Sequence, residues 1–151
     1  NEKGFLTSTP QTVKENLKTW LNHYRVINDT IDILDGKVVN IGIEFSLISK
    51  QQANSTDVLN KAISVLKDHF NNKLLMGVPF YISEIYKLLN DINEVVDTKD
   101  IKIINKSGTG YSDDSHDIES NIGADGKFIF VPKNTVLELR YPNTDIVGVI
   151  I

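Results

Sequence analysis

The feature that most constrains this chain is a long alternating segment in its first third. Between Val38 and Ile48, apolar and mostly β-branched residues recur at every second position, with polar residues or glycine between most of them. The apolar positions are Val39, Ile41, Ile43, Phe45 and Leu47. A period of two over this length is typical of a strand that buries one face. The pattern therefore predicts a half-buried strand over 38–48.

Three further segments have the periodicity of amphipathic helices. The first, over about 10–25, begins with Thr9 as an N-cap and Pro10 at the first helical position, and it carries one apolar face. That face consists of Val13, Leu17, Trp20, Leu21 and Tyr24. A second helix is expected to begin at Asn54 or Ser55 and to run to Phe70, and a third opens at Ser83–Glu84.

Extended segments and turn residues predict the remaining strands. Residues 31–34 are expected to form a hairpin with the 38–48 strand through the Asp35–Gly36 turn. Residues 95–96 and 101–104 are typical of a strand after a turn at 98–100. Residues 128–131 and 135–141 are expected to form a second hairpin around Pro132, Lys133 and Asn134.

The order of these elements favours the α+β class. We expect two or three helices packed on a mainly antiparallel sheet, with a long polar loop over 105–126. Residues 1–9 are interpreted as a lead-in and 10–151 as a single α+β domain. An alternative division is a 10–104 α/β core followed by a 105–151 subdomain of loop and β-hairpin. The first residue, Asn, and the apolar run 146–151 favour a piece excised from a longer protein, the alternative being a processed chain.

Composition excludes several classes of function. The chain has no cysteine, which excludes disulfide frameworks, thiolate zinc sites and cysteine nucleophiles. The net charge of −4 argues against nucleic acid as a partner, because phosphate binding usually requires a basic excess. No apolar run approaches the roughly 18 residues that a membrane span requires, so we expect no membrane partner.

The polar loop contains the residues that could carry chemistry. Asp113, Ser115, Asp117 and Glu119 alternate like calcium ligands, but Ile118 and Ala124 stand where an EF-hand loop needs Gly and Glu. A solvated acidic loop is the favoured interpretation. His116 beside Asp117 could serve a hydrolase, although no Gly-x-Ser-x-Gly turn accompanies it. The glycines after Ser107 lack the remaining residues of a phosphate-binding motif. We therefore predict no catalytic, cofactor-binding or metal-binding residues and no enzyme activity.

Aromatic side chains on the predicted helices have two interpretations. Trp20, Tyr24, Tyr81 and Tyr86 are candidates for a binding interface, because aromatic residues are enriched at interaction hot spots. Their helical spacing with other apolar residues is also typical of a core. For Trp20 the core is the favoured prediction.

Three stretches, in the same order, resemble a known protein family. They are LKTWLNHYR (17–25) with NDTIDI (28–33); VNIGIEF (39–45) with Val58–Leu59 and LKDHF (66–70); and IINKSG (103–108) to Tyr111–Ser112, closing with LRYPNTDIVG (139–148). Together they resemble the C-terminal part of the baseplate wedge subunit of T-even-like contractile-tail phages, the gene product six type within the J-like baseplate family. The resemblance spans about Val13 to Gly148.

The resemblance implies a structural role in the virion tail baseplate, assembled in the host cytoplasm. Such subunits pair as homodimers, build an inner ring, contact other wedge proteins and relay the trigger for sheath contraction. No catalytic residue and no cofactor is carried over from the family. The long loop and the apolar C-terminal run become candidate contact surfaces. The candidate interface residues are Trp20, Tyr111, Tyr141, Ile146, Val149 and Ile150. The alternative function is a ligand- or receptor-binding module that uses the 107–122 loop.

Overall fold

The computed structural model describes residues 4–25, 29–70 and 75–151. Within these ranges the chain forms four helices, six strands and one short 3-10 helix at Glu119–Asn121. In chain order the helices and strands are α1 (Gln11–Leu21), β1 (Lys37–Ser49), α2 (Ser55–Phe70), β2 (Phe80–Tyr81), α3 (Ile82–Asn90), β3 (Val95–Asn105), β4 (Phe128–Ile129), β5 (Thr135–Glu138), α4 (Pro142–Asp145) and β6 (Ile146–Ile150).

Strand β1 is the centre of a four-stranded mixed sheet. Its one edge pairs antiparallel with β3 along residues 41–49. Its other edge is shared by two strands in succession, both parallel to it: β5 against 37–40 and β6 against 43–47. The long strand expected over 38–48 is confirmed, and so is the α+β class. The sheet is mixed rather than mainly antiparallel, because the second edge of β1 is taken entirely by parallel partners.

One face of this sheet carries the core. Helices α2 and α3 lie on it and bury their apolar sides against the odd-numbered residues of β1. Fully buried members of this layer include Ile41, Ile43, Leu47, Ala62, Leu66, Ile85 and Leu89. At Gly148 of β6 the packing is so close that an added Cβ would lie 2.4 Å from the Phe45 ring. The glycine therefore lets β6 approach the aromatic ring beneath it.

The helix starts differ in detail from the predictions. Pro10, not Thr9, occupies the cap position of α1, and no side chain of the described residues caps this helix. Thr9 instead donates its N–H to Asp35 Oδ1 at 3.4 Å, so the expected Thr9 cap is wrong. Asn54 Oδ1 accepts the Thr56 N–H at 3.0 Å, which selects Asn54 of the two candidate caps for α2.

The hairpin expected around Asp35–Gly36 is wrong. The described part of the 28–36 segment forms no strand, and the Lys37 N–H donates to Asn134 O at 2.7 Å. The edge of β1 that residues 31–34 would have occupied belongs to β5. A strand distant in sequence therefore replaces the local partner.

The hairpin expected over 128–141 is also wrong. The chain does turn after Pro132, whose carbonyl accepts the Thr135 N–H at 2.9 Å, but the two strands enter different sheets. Strand β4 pairs antiparallel with β2, and β5 pairs with β1. Buried Phe80 and Ile129 lie opposite each other in the small sheet, and this apolar pairing draws β4 away from β5.

Strand β3 continues through residues 98–100, where a turn was expected. The register with β1 shifts twice, between Ser46 and Leu47 and between Ile48 and Ser49. Lys99 and Val96 are the unpaired extra residues at these shifts, which makes them β-bulges. Bulges let the chain accommodate turn-forming residues without ending the strand.

The long polar segment is confirmed as irregular over most of 106–127, and two of the three strands after it, β5 and β6, belong to the main sheet. Both β5 and β6, from the 105–151 segment, pair with β1. Part of the expected lead-in also contacts this region: Phe5 lies 5.2 Å from Tyr141 between ring centroids, and the Leu6 N–H donates to Glu138 Oε1 at 2.7 Å. Residues 1–3 of that lead-in lie outside the described residues.

Candidate functional site

Helix α1 presents its apolar side to solvent. Val13, Leu17 and Trp20 are 52%, 45% and 57% exposed, and Tyr24 just beyond the helix is 72% exposed. The Trp20 and Tyr24 rings lie 4.8 Å apart between centroids. No residue of this helix is fully buried, and of its apolar face only Leu21 is half-buried. The prediction that Trp20 lies in the core is wrong, because the helix does not pack against the sheet. We call Val13, Leu17, Trp20 and Tyr24 the α1 stripe.

Polar contacts attach α1 to the body. Lys14 Nζ lies 2.5 Å from Asp35 Oδ2, and Lys18 Nζ lies 3.5 Å from Asp32 Oδ1 in a more exposed pair. The hydrogen bond from Lys14 lowers the pKa of Asp35 below its usual value. Asp35 lies just before β1, so these pairs link the helix to the start of the central strand.

The second face of the sheet is open around β6. Val147 and Val149 are 47% and 52% exposed and border a shallow groove of about 340 Å³. Glu44, Asp100 and Lys102 line the same groove. Half-exposed valines beside charged residues form a mixed surface of the kind that protein partners bind.

Near the start of β1, the polar loop is held against the sheet by partly buried hydrogen bonds. Asn40 is fully buried; its Nδ2 donates to Glu138 Oε2 at 2.7 Å and its Oδ1 accepts the Ser112 N–H at 2.6 Å. Asp114 Oδ2 accepts the Val38 N–H at 3.1 Å. The bonds of Ser112 and Asp114 join the loop to β1, and the bond between Asn40 and Glu138 joins β1 to β5. The two bonds of Asn40 satisfy the polar groups of its buried side chain.

A buried carboxylate lies where the chain passes from β5 to β6. Asp145 is 1% exposed; its Oδ1 accepts the Tyr111 hydroxyl at 2.6 Å and its Oδ2 accepts the Tyr141 N–H at 2.8 Å. The hydrogen bond to Asp145 raises the pKa of Tyr111, and burial acts in the same direction. The rings of Tyr111 and Tyr141 meet edge to face with centroids 5.3 Å apart. This arrangement fixes the loop against the α4 corner.

The loop residues that suggested chemistry are engaged in hydrogen bonds with the loop and with the strands that flank it. His116 Nε2 lies 2.8 Å from the Phe130 carbonyl oxygen, and the His116 N–H lies 3.3 Å from Asn105 Oδ1. The hydrogen bonds from Ser120 lower the pKa of Asp117. Within ranges 4–25, 29–70 and 75–151, no cluster of three or more histidines and carboxylates could hold a metal ion.

The six predicted interface residues fall into different environments. Trp20 and Val149 are exposed, while Ile146 is 2% exposed and belongs to the core. Ile150 is half-buried against that core. Tyr111 and Tyr141 are both half-buried: the Tyr111 hydroxyl donates to Asp145, and the Tyr141 hydroxyl donates to the Gly110 carbonyl oxygen at 3.3 Å. Val147 was missed, although the alternation of β6 places it on the same face as Val149.

No protein-family model matches this chain, and no curated protein matches it either. Among the helices of the described residues, none has the length and apolar character needed to cross a membrane.

Proposed function

We propose that this domain is a structural component of a phage tail baseplate wedge. In this proposal it contributes to the inner baseplate ring by self-association, contacts other wedge proteins and takes part in relaying the contraction trigger. The resemblance to the gene product six type of wedge subunit supports this role. The observation that carries the proposal is the exposed α1 stripe, because an amphipathic helix with an uncovered apolar side is suited to bind another protein.

The energetics favour a partner for the α1 stripe. Burying one large apolar side chain completely contributes about 1.5–3 kcal/mol. Val13, Leu17 and Trp20 are each about half exposed, so covering the three contributes about 3 kcal/mol. Trp20 and Tyr24 add the aromatic surface that is enriched at hot spots. The stripe therefore has the composition of an interface centre.

The attachment of α1 is compatible with a relay. The helix is joined to the body by the ion pairs at Asp35 and Asp32, which precede β1 in sequence. Exposed ion pairs contribute little, about 0.2–1 kcal/mol each. A partner that binds the α1 stripe can therefore displace the helix at low cost, and the displacement acts on the start of β1.

The test uses purified wedge proteins of a T-even-like phage and sedimentation velocity. The chain is expected to co-sediment with at least one wedge protein, and Leu17→Asp is expected to weaken that binding at least tenfold, about 1.4 kcal/mol. The matched control is Asn16→Asp, which adds the same charge on the neighbouring polar position of α1. Absence of binding to every wedge protein would overturn the proposal, and equal loss in both variants would remove α1 from it.

A further inference from the structure

Strand β6 is an uncharged edge of the main sheet. It pairs with β1 on one side, and no strand of the described residues pairs with its other side. The Ile151 N–H just beyond it donates to Leu47 O at 3.0 Å. Backbone groups alternate in direction along a strand, so those of Ile146, Gly148 and Ile150 point away from β1. These N–H and C=O groups are available to another strand.

The opposite edge of the same sheet is protected. Strand β3 carries Asp97, Lys99, Asp100 and Lys102, and it is interrupted by two bulges. Charged residues and bulges are the devices by which proteins prevent unwanted pairing at sheet edges. Strand β6 has no charged residue, no proline and no register shift against β1. The contrast within one sheet indicates that the β6 edge is kept open for pairing.

The sequence of β6 selects a second copy as the partner. Residues 146–150 read Ile-Val-Gly-Val-Ile, which is the same in both directions. In an antiparallel pair centred on Gly148, Val147 of one copy lies opposite Val149 of the other, and isoleucine lies opposite isoleucine. A two-fold interface brings the same patch of both subunits together, and in this register each side chain lies opposite one of its own type. No charge is brought opposite a like charge.

We infer that two copies of this chain associate through antiparallel pairing of their β6 strands about a two-fold axis at Gly148. This joins the two main sheets into one continuous sheet and places Val147 and Val149 of both copies side by side on its open face. The inference rests on the proposed function and deepens it by naming the surface of self-association.

The helix layer is compatible with this arrangement. A two-fold axis between antiparallel strands of one sheet places α2 of both copies on the same face. Leu59 of α2 lies over Gly148, since a Cβ added there would be 2.7 Å from Leu59 Cδ1. The half-buried Leu59 side chains then flank the axis and lose further exposure on pairing. Because one short strand buries less than the roughly 800 Å² per partner of a stable complex, we expect a monomer–dimer equilibrium.

The first test is sedimentation equilibrium of the full 151-residue chain over a hundredfold concentration range. Val149→Lys is expected to raise the dimer dissociation constant at least tenfold, about the effect of a charge introduced at a pairing edge. Val96→Lys is the matched control, because Val96 is 60% exposed on the protected edge. It is expected to change the constant by less than about twofold. The melting temperature of each variant reports on folding.

The second test uses disulfide cross-linking to determine the register of the two β6 strands, and it does not depend on the lysine variants. The chain has no cysteine, so each introduced thiol is unique. Directly opposite residues have Cβ atoms about 4.5–5.5 Å apart, whereas the diagonal neighbours are about 7–8 Å apart. Disulfides need Cα atoms within about 4.4–6.8 Å. An equimolar mixture of Val147→Cys and Val149→Cys chains is therefore expected to cross-link as heterodimers at least about fivefold faster than either variant alone.

The outcomes separate this inference from the proposed function. A chain that stays monomeric throughout, a dimer equally weakened by both lysine variants, or cross-linking without preference for the mixture would each overturn the β6 pairing. These results leave the binding of wedge proteins to α1 as a separate measurement. If the β6 dimer forms and no wedge protein binds, the wedge function fails while the self-association surface stands.

Discussion

The buried Asp145 carboxylate allows a quantitative prediction for the α4 corner. In Asp145→Ala, the Tyr111 hydroxyl and the Tyr141 N–H both lose their acceptor. Hydrogen bonds to charged groups contribute about 1.5–3 kcal/mol each, and a buried donor left unpaired adds its desolvation cost. We expect the free energy of unfolding to fall by about 3–5 kcal/mol, a large part of the roughly 5–15 kcal/mol typical of a domain.

Urea unfolding followed by far-UV circular dichroism measures this loss. With a slope of about 2 kcal/mol per molar urea, the midpoint should fall by about 1.5–2.5 M. Asp145→Asn is the control, because its amide oxygen can accept the Tyr141 N–H while its Nδ2 donates to the Tyr111 oxygen. We expect this variant to lose only about 1 kcal/mol.

Tyr111→Phe completes a double-mutant cycle with Asp145→Ala. Alone it should cost about 1.5–2 kcal/mol, and in the Asp145→Ala background almost nothing, which gives a coupling of about 1.5 kcal/mol. Additive losses, or a loss in Asp145→Asn equal to that in Asp145→Ala, would refute the reasoning from these two hydrogen bonds.

Three further predictions concern packing and pH. Gly148→Val should destabilise the domain by about 1–3 kcal/mol in urea unfolding, since its Cβ meets the buried Phe45 ring. Ile43→Ala, at a fully buried position of β1, should cost about 2–5 kcal/mol in the same assay. The raised pKa of Tyr111 means that the folded state holds this proton more tightly than the unfolded state. The contribution of Tyr111 to stability should therefore be complete below about pH 10 and be lost above it. Above that pH the free energy of unfolding should fall more steeply in the wild type than in Tyr111→Phe, and equal slopes would contradict this.

The local elements were largely predictable from the sequence. The alternation that defines β1, the apolar face of α2 and the Asn54 cap all depend on residues within a few positions of one another. Such local patterns predict the elements well, because the apolar residues of a strand or helix must follow its side-chain period wherever the element packs. The irregular character of most of 106–127 followed for the same reason from its Gly, Ser and Asp content.

Strand pairing was not predictable in this way. Local turn residues favoured two hairpins, but β1 pairs with β5 and β6 from the far end of the chain, and β4 pairs with β2. A turn signal states that the chain can reverse direction, while the partner of a strand is selected by which apolar faces fill the core together. Buried Phe80 and Ile129 made that selection for the small sheet.

For the two candidate surfaces as well, some properties follow from the sequence and others only from the tertiary structure. The sequence by itself determined that α1 is amphipathic and that residues 146–150 form an apolar, palindromic segment, because both are properties of adjacent residues. Only the tertiary structure decided that the α1 stripe faces solvent, that Ile146 is buried while Val149 is exposed, and that Asn40 and Asp145 hold the loop. A periodic pattern reports which side of an element is apolar, and the packing of distant elements determines whether that side is covered.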